Sequence, residues 1–488
     1  MTSSVAPNPL KPWAAFAVCV ASAGLTILDL SKVNVGLLAI EAALGANPTQ
    51  LQLVVSGYAL AFGISLVPSG RLGDMGSRKH MLLLGVALFT LASLLGAMVS
   101  TATALLVGRV LQGIGAGMLM PQVVGLIQQL FQGAERGRAF GIFGGIIGVA
   151  SAFGPTLGGL LIAAGGAVDG WRWLFWINVP MGIVITYFAQ RLLPATSAGQ
   201  TASRSLDPVG ILLIALSTIS LLIPFATTTG RTSDNPARWL WMMPFAISLI
   251  AFILWERHYE RRGMTPVVRL ELLGVKSYRH GLIVVSAWFA GMPSLILLTT
   301  LFLQQGLHLS AVYAGMASIP FSLVSAFTAW YAGRHIERNG RAMIVGGLAI
   351  SLLGILAVVG ATVFLPLSGV AWGIVAALTL VGIGAGFVMS PNQTLALSEV
   401  PVAHGGVAGS VVQLGQRVGM AIGVALSSAI FFSALSKGSA GISLLGAYAT
   451  ALNLGMLVVT GFVVVALITA IVDWHAHRRN EPPQDITL

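Results

Sequence analysis

Charge is what this chain has least of. Asp, Glu, Lys and Arg make up only 8% of its 488 residues, 56% are hydrophobic, and the mean hydropathy is +0.88. A soluble globular protein carries about a quarter charged residues, because something must face water. So few charges cannot cover a surface of this size, and a lipid bilayer is the solvent such a composition expects. Cysteine is almost absent as well. The single Cys19 excludes an internal disulfide and any thiolate metal cluster. No Gly-rich phosphate loop ending in Lys-Ser/Thr is present, and the eight histidines are scattered, so no catalytic set and no metal site stand out. An enzyme is not expected, nor a resident cofactor.

Long apolar runs are plentiful. A spanning helix needs roughly 20 apolar residues, and fourteen such runs lie near 13–40, 50–70, 80–99, 103–129, 138–165, 174–193, 207–228, 238–255, 281–305, 310–332, 342–365, 370–395, 405–434 and 448–472. Glycine, at 59 residues, suits helices that pack closely in lipid. The net charge of +11 does not form a nucleic-acid stripe but falls in short tracts between the runs. If the N-terminus is cytoplasmic, 19 Lys and Arg fall inside and only Arg172, Arg231, Arg238 and Lys437 outside. Lys32, Arg109 and Arg417 remain within spans. The positive-inside rule then predicts both termini in the cytoplasm. The first run is too long for a signal-peptide core and carries an acid and a base at its centre.

Two stretches occur twice in the same order. Gly113-Ile114-Gly115-Ala116-Gly117 is echoed by Gly382-Ile383-Gly384-Ala385-Gly386, and the loop 70–78 by 333–341, with Asp74 and Arg78 answered by Glu337 and Arg341. Residue 382 against 113 and residue 333 against 70 give offsets of 269 and 263. Parallel repeats with a site at their interface are a common transporter plan. The offset exceeds six spans by about the length of the 207–255 pair, so the expected fold is all-α, two six-helix bundles with two inserted helices. The domains are predicted as a tail 1–12, a bundle 13–193, a linker with two helices 194–280, a bundle 281–472 and a tail 473–488.

Four signatures in order resemble the fourteen-helix drug:proton antiporter family of the major facilitator superfamily. They are Gly70-x-Leu72-x-Asp74-x-x-Ser77-Arg78-Lys79, Arg109-x-x-Gln112-Gly113-x-Gly115-Ala116-Gly117, Gly154-Pro155-x-x-Gly158-Gly159, and Trp171-Arg172-Trp173-x-Phe175-x-Ile177-Asn178-x-Pro180-x-Gly182. Met75 and Ser77 depart from the first, where arginine and glycine are usual, and Lys32 departs from the family's span one, where an apolar residue is usual. The resemblance implies a proton-coupled exporter of small molecules in a bacterial plasma membrane, for which a monomer suffices. It implies that Gly70, Asp74, Arg78 and Lys79, with Glu337 and Arg341 in the repeat, act as a conformational latch. It also implies that Gly154, Pro155, Gly158 and Gly159 bend span five and seal the bundle interface.

Asp29 reads as the one acid deep in a span. Ionised groups there are expensive and mark functional sites by default. Ser22, Thr26, Asp29, Lys32 and Gly36 share one helix face, which is expected to line a central cavity. Burial opposes the charge of Asp29 and Lys32 favours it, so these two are the expected proton-coupling residues. The resemblance implies that Arg109 joins them in the proton path, the alternative being that it hydrogen-bonds backbone carbonyls at a helix contact. Thr26, Asn34, Gln112, Gln413 and Arg417 join Asp29 and Lys32 as candidate cavity residues. Arg417 either pairs with Asp29 across the bundles or touches substrate. Three embedded cations against one acid favour an anionic or zwitterionic substrate. Trp171 and Trp173 are expected as interfacial anchors. An uptake symporter or facilitator on the same fold, or a receptor without turnover, are the other readings.

Overall fold

The computed structural model describes residues 10–166, 168–194, 207–228, 234–437 and 443–478, apart from a few side chains. The apolar runs form helices whose ends follow local rules. α1 is Leu10–Leu44 and α2 is Pro48–Met75, which begins with Pro48 at its first turn and a reciprocal cap between Asn47 and Gln50. α3 (Arg78–Met98) and α4 (Ala102–Leu130) start at Ser77 and Thr101, whose hydroxyls accept from the amides of His80 and Ala104. α5 (Gly133–Gly165) and α6 (Asn178–Leu192) complete the first group. α7 (Pro208–Ala226) is capped by Asp207, and α8 is Met242–Arg261. α9 (Lys276–Leu301), α10 (Ile319–Phe364), α11 (Leu367–Ala396), α12 (Gly405–Lys437) and α13 (Leu444–Arg478) follow. Among the described residues, twelve helices are long and apolar enough to cross a membrane. α5, whose parts Gly133–Ser151 and Phe153–Gly165 meet at 40°, makes a thirteenth.

α10 has 46 residues, roughly 70 Å if straight, against about 30 Å of hydrocarbon. Its contacts show that it folds back. Phe321 packs on Gly382 while Gly354 packs on Val381, and Thr328 meets Gly386 while Gly347 meets Gly384. A straight helix would hold residues 321 and 354 about 50 Å apart. The two limbs therefore run in opposite directions along α11. The run expected near 310–332 and the run near 342–365 correspond to these limbs.

Two large apolar cores organise the chain. One gathers Phe16, Phe62, Phe89, Leu119, Phe140 and Ile185 of α1 to α6, joined by a few residues of α9 and α12. The other gathers Trp288, Leu295, Leu348, Val381, Phe431 and Val463 of α9 to α13. α7 and α8 pack on each other and against α2 and α12. Leu222 and Thr218 approach Gly63, and Phe252 shares a small cluster with Val67 and Val407. This pair thus covers the seam between the groups.

The groups meet along two lines. α2 lies against α12, where Gly70 approaches Ser410 and the Gly406 carbonyl. α5 lies against the first limb of α10 through small residues. A methyl placed on Gly141 would stand 2.7 Å from the Ala329 carbonyl oxygen, and one on Gly333 would stand 2.8 Å from that of Gly137. The turn at 76–77, the segment 262–275 and residues 397–404 all gather at one end, here termed the basic end.

Candidate functional site: a buried charge network and a latch

Asp29 and Lys32 stand one turn apart on α1, and both are fully buried. Asp29 Oδ2 accepts from Arg109 Nη1 at 2.6 Å, and Asp29 Oδ1 accepts from Asn178 Nδ2 at 2.7 Å. Lys32 Nζ donates to Asn178 Oδ1 at 2.5 Å and lies 3.3 Å from Asp29 Oδ1. Arg109 spends its other donors on the Val54 carbonyl at 3.2 Å and on Gln112 Oε1 at 2.9 Å. Gln112 and Asn178 both donate to Ser93 Oγ, at 2.7 and 3.1 Å. The Arg109 guanidinium lies 4.3 Å above the Tyr58 ring, whose hydroxyl donates to the Thr26 carbonyl at 3.3 Å. One acid, two cations and three neutral polar side chains from α1, α3, α4 and α6 thus form a closed set. Paired donors and acceptors are what make so many buried polar groups tolerable.

This corrects the expectation that the polar face of α1 lines a central cavity. Ser22, Thr26, Asp29 and Lys32 are each 0% exposed, turned toward α4, α5 and α6 of their own bundle. The reason is charge pairing: the cations that neutralise Asp29 are supplied from within the bundle, so the face is sealed. Asn34, by contrast, is exposed on the opposite side of α1. The candidate cavity residues therefore do not converge. Gln112 belongs to the network, and Gln413 is buried on α12 at 3% exposure. Arg417 pairs with no acid among the described residues; its guanidinium lies 4.4 Å over the Phe62 ring and its Nε has no hydrogen-bond partner. The alternative of an Asp29–Arg417 bridge is excluded in this state. Asn178 and Ser93, neither among the candidate residues, hold the network together. Asn178 stood in a quoted motif, whereas an isolated serine in an apolar run carries no signal.

Asp74 and Arg78 do cross to the other group. Asp74 Oδ1 and Oδ2 accept from the amides of Gly406 and Val407 at 3.0 and 2.8 Å, the free N–H groups of the first turn of α12. A carboxylate suits that position because a helix N-terminus carries unsatisfied donors and partial positive charge. Arg78 bonds Asp74 at 2.7 Å and donates to the Val402 carbonyl at 2.7 Å. Gly70 and Gly73 leave room for Ser410 and Gln122 respectively. Two latch candidates behave otherwise. Lys79 donates to the carbonyls of Gln190 and Leu193, closing the C-terminal end of α6 in its own bundle. Arg341 bonds Asp473 at 2.9 Å and Ser277 at 3.1 Å, again within its own group, because α13 supplies an acid there. The side chain of Glu337 lies outside the described residues.

Two further expectations change. Gly154 and Gly158 do not face the other bundle but let α5 press on Ser31 and Lys32 of α1, while Gly159 meets nothing within 4 Å. Pro155 beside them is exposed. Trp171 is 1% exposed, with Arg172 stacked 4.6 Å above it, so of the two tryptophans only Trp173 has the exposure of an anchor.

A multi-pass helical protein with sealed charges and a cross-bundle lock belongs to the membrane transporters, not the enzymes. The family is the Major Facilitator Superfamily, whose model matches residues 14–424, and the chain is a member of it. It is 34% identical over 439 residues to the probable actinorhodin transporter of Streptomyces coelicolor, covering 89% of this chain and 75% of that one. It is 32% identical to the puromycin resistance protein pur8 of Streptomyces alboniger, over 87% and 82% of the two chains. It is 29% identical to the multidrug resistance protein Stp of Mycobacterium tuberculosis, over 84% and 74%. Among solved structures, the proton:xylose symporter XylE matches with a TM-score of 0.64 at 16% identity, over 96% of each chain. These bacterial relatives are named as a transporter and as two resistance proteins.

Proposed function

We propose that this transporter is a proton-coupled antiporter that exports small molecules across a bacterial plasma membrane by alternating access. The Asp29 network carries the reading. An ionised Asp29 faces two cations, which already leaves buried positive charge in excess, and taking a proton would raise that excess further. Arg109 cannot give up its proton. Lys32 can, or it can exchange Asp29 for a substrate group, so Asp29 and Lys32 together hold the coupling proton against the fixed charge of Arg109. The surplus positive charge, with Arg417 unpaired near the seam, favours an anionic or zwitterionic cargo.

The same reading takes the two limbs of α10 as separate spans, giving fourteen. It places both termini and the basic end in the cytoplasm, treats 13–193 and 281–472 as the rocking bundles with 194–280 as the insert, and needs only a monomer. Asp74 bound to α12 then makes this the state closed to the cytoplasm. The test uses purified protein in proteoliposomes. Cargo addition is expected to release protons in the parent and not in Asp29→Asn, with comparable amounts of protein inserted. Equal cargo fluxes with and without an imposed pH difference would overturn the coupling.

A further inference from the structure

Asp29 is the acid that stands deep in an apolar run of the sequence, but the structure buries two more, in the inserted pair. Glu256 lies on the inner stripe of α8 with Ser248, Phe252 and Tyr259, and is 1% exposed. Asp207, the cap of α7, is 0% exposed. A methyl carbon built on Gly210 would stand 2.5 Å from Asp207 Oδ2 and 2.7 Å from Glu256 Oε1, so the two carboxyl groups face the same glycine. Their surroundings differ. Asp207 accepts from the Gly210 amide at 2.8 Å and from Trp255 Nε1 at 2.8 and 3.0 Å. Neither oxygen of Glu256 has a hydrogen-bond partner, although the amides of Val267 and Val268 face it.

We propose that Asp207 and Glu256 form a second proton-binding site, holding one proton between two carboxyl groups in the inserted helices. Asp207 is the member supplied with donors. Glu256 is the protonated one, since a buried carboxylate whose oxygens make no hydrogen bond and that lies beside a second carboxyl group is expensive, whereas a carboxylic acid is neutral and can itself donate. Two carboxyl groups sharing one site do not both ionise readily and titrate as a pair. A metal ion is the poorer occupant: no group of three or more His, Cys, Asp or Glu side chains suited to one occurs among the described residues.

The surroundings connect the site to the latch. From α2, Arg71 faces both Glu256 and Asp74, donates to the Thr265 carbonyl at 3.2 Å and leaves its Nε without a partner. Tyr259 of α8 and Arg269 of the following segment face Arg71, and His404 beside α12 faces Arg269, Asp74, Arg71 and Arg78. Loss of the shared proton places a second negative charge, besides that of Asp74, within electrostatic reach of Arg71. Proton release at the insert therefore bears on the cross-bundle lock, whether or not Asp29 couples transport.

The test is infrared difference spectroscopy of the purified full-length protein through a pH titration. The parent is expected to show a protonated-carboxyl C=O band at neutral pH that Glu256→Gln removes and Asp29→Asn keeps. In Asp207→Asn, which retains the cap, the band should vanish at lower pH than in the parent, because the neighbouring negative charge is gone. A Glu256→Gln spectrum identical to the parent's would overturn the site, as would loss of the band on adding sodium, potassium or magnesium at fixed pH. Should Glu256→Gln not assemble, an unshifted titration in Asp207→Asn overturns it equally. The Asp29→Asn flux assay succeeds or fails independently of this band.

Discussion

At Asn178 a neutral amide does what a charge could not. Its Nδ2 feeds Asp29 and its Oδ1 receives Lys32, so it holds acid and base without adding to the ledger of buried charge. Asn178→Ala leaves both partly unsatisfied and is expected to cost about 1–3 kcal/mol, read as a lowered thermal midpoint in detergent, with weaker cargo-driven proton release. Arg109→Gln strips Asp29 of its guanidinium and should cost more, about 3–5 kcal/mol, as for removing one partner of a buried ion pair. An Arg109→Gln variant as stable as the parent would mean that Lys32 alone suffices for Asp29. The charged members were legible in the sequence, because an acid or base within an apolar run announces itself. Their polar partners were not: Lys32 and Asn178 are separated by 146 positions, and only the fold brings them together. Glu256 was hidden differently, beside the basic tract 257–262, where it passed for a helix end.

At the scale of helices, packing is decided by where a side chain is missing. A methyl on Gly113 of α4 would strike the Tyr58 carbonyl oxygen of α2, the residue whose ring underlies Arg109. Gly113→Ala must push the two helices apart, costing about 1–3 kcal/mol, and it moves Tyr58 with them. Gly461 on α13 has nothing within 4 Å. Gly461→Ala should therefore be neutral or stabilising by up to about 1 kcal/mol, from helix propensity alone. Paired thermal melts of the two variants check this contrast; similar losses for both would refute it. The repeated Gly-x-Gly-Ala-Gly runs flagged these helices as close neighbours of something. Which neighbour each glycine meets depends on helix rotation, and one sequence without its fold does not fix rotation.

For the molecule as a whole, the lock at the basic end joins bundles through few groups. Asp74→Ala removes the anion from the first turn of α12 and should shift the population away from the closed state. With Cys19→Ser as background, a cysteine at Ser410, 0% exposed behind the lock, reports the change. Its labelling from the side of the basic end is expected to be several-fold faster with Asp74→Ala, and an unchanged rate would count against the lock. The repeat hinted at a matching lock in the second half. Arg341 turns inward to Asp473 instead, so among the described residues it adds no second lock.

Among the described residues, the other crossing shows no such bonds to break. Where α5 meets the first limb of α10, Gly137 and Gly141 lie against Ala329 and Gly333, main chain on main chain. Apart from Ile336 against Gly137, these glycine contacts offer few rotamers to unlock, so tilting one helix over the other meets little friction. The chain thus owns a smooth bearing on one flank and a bolt on the other, and the bolt sets how long each door stays shut.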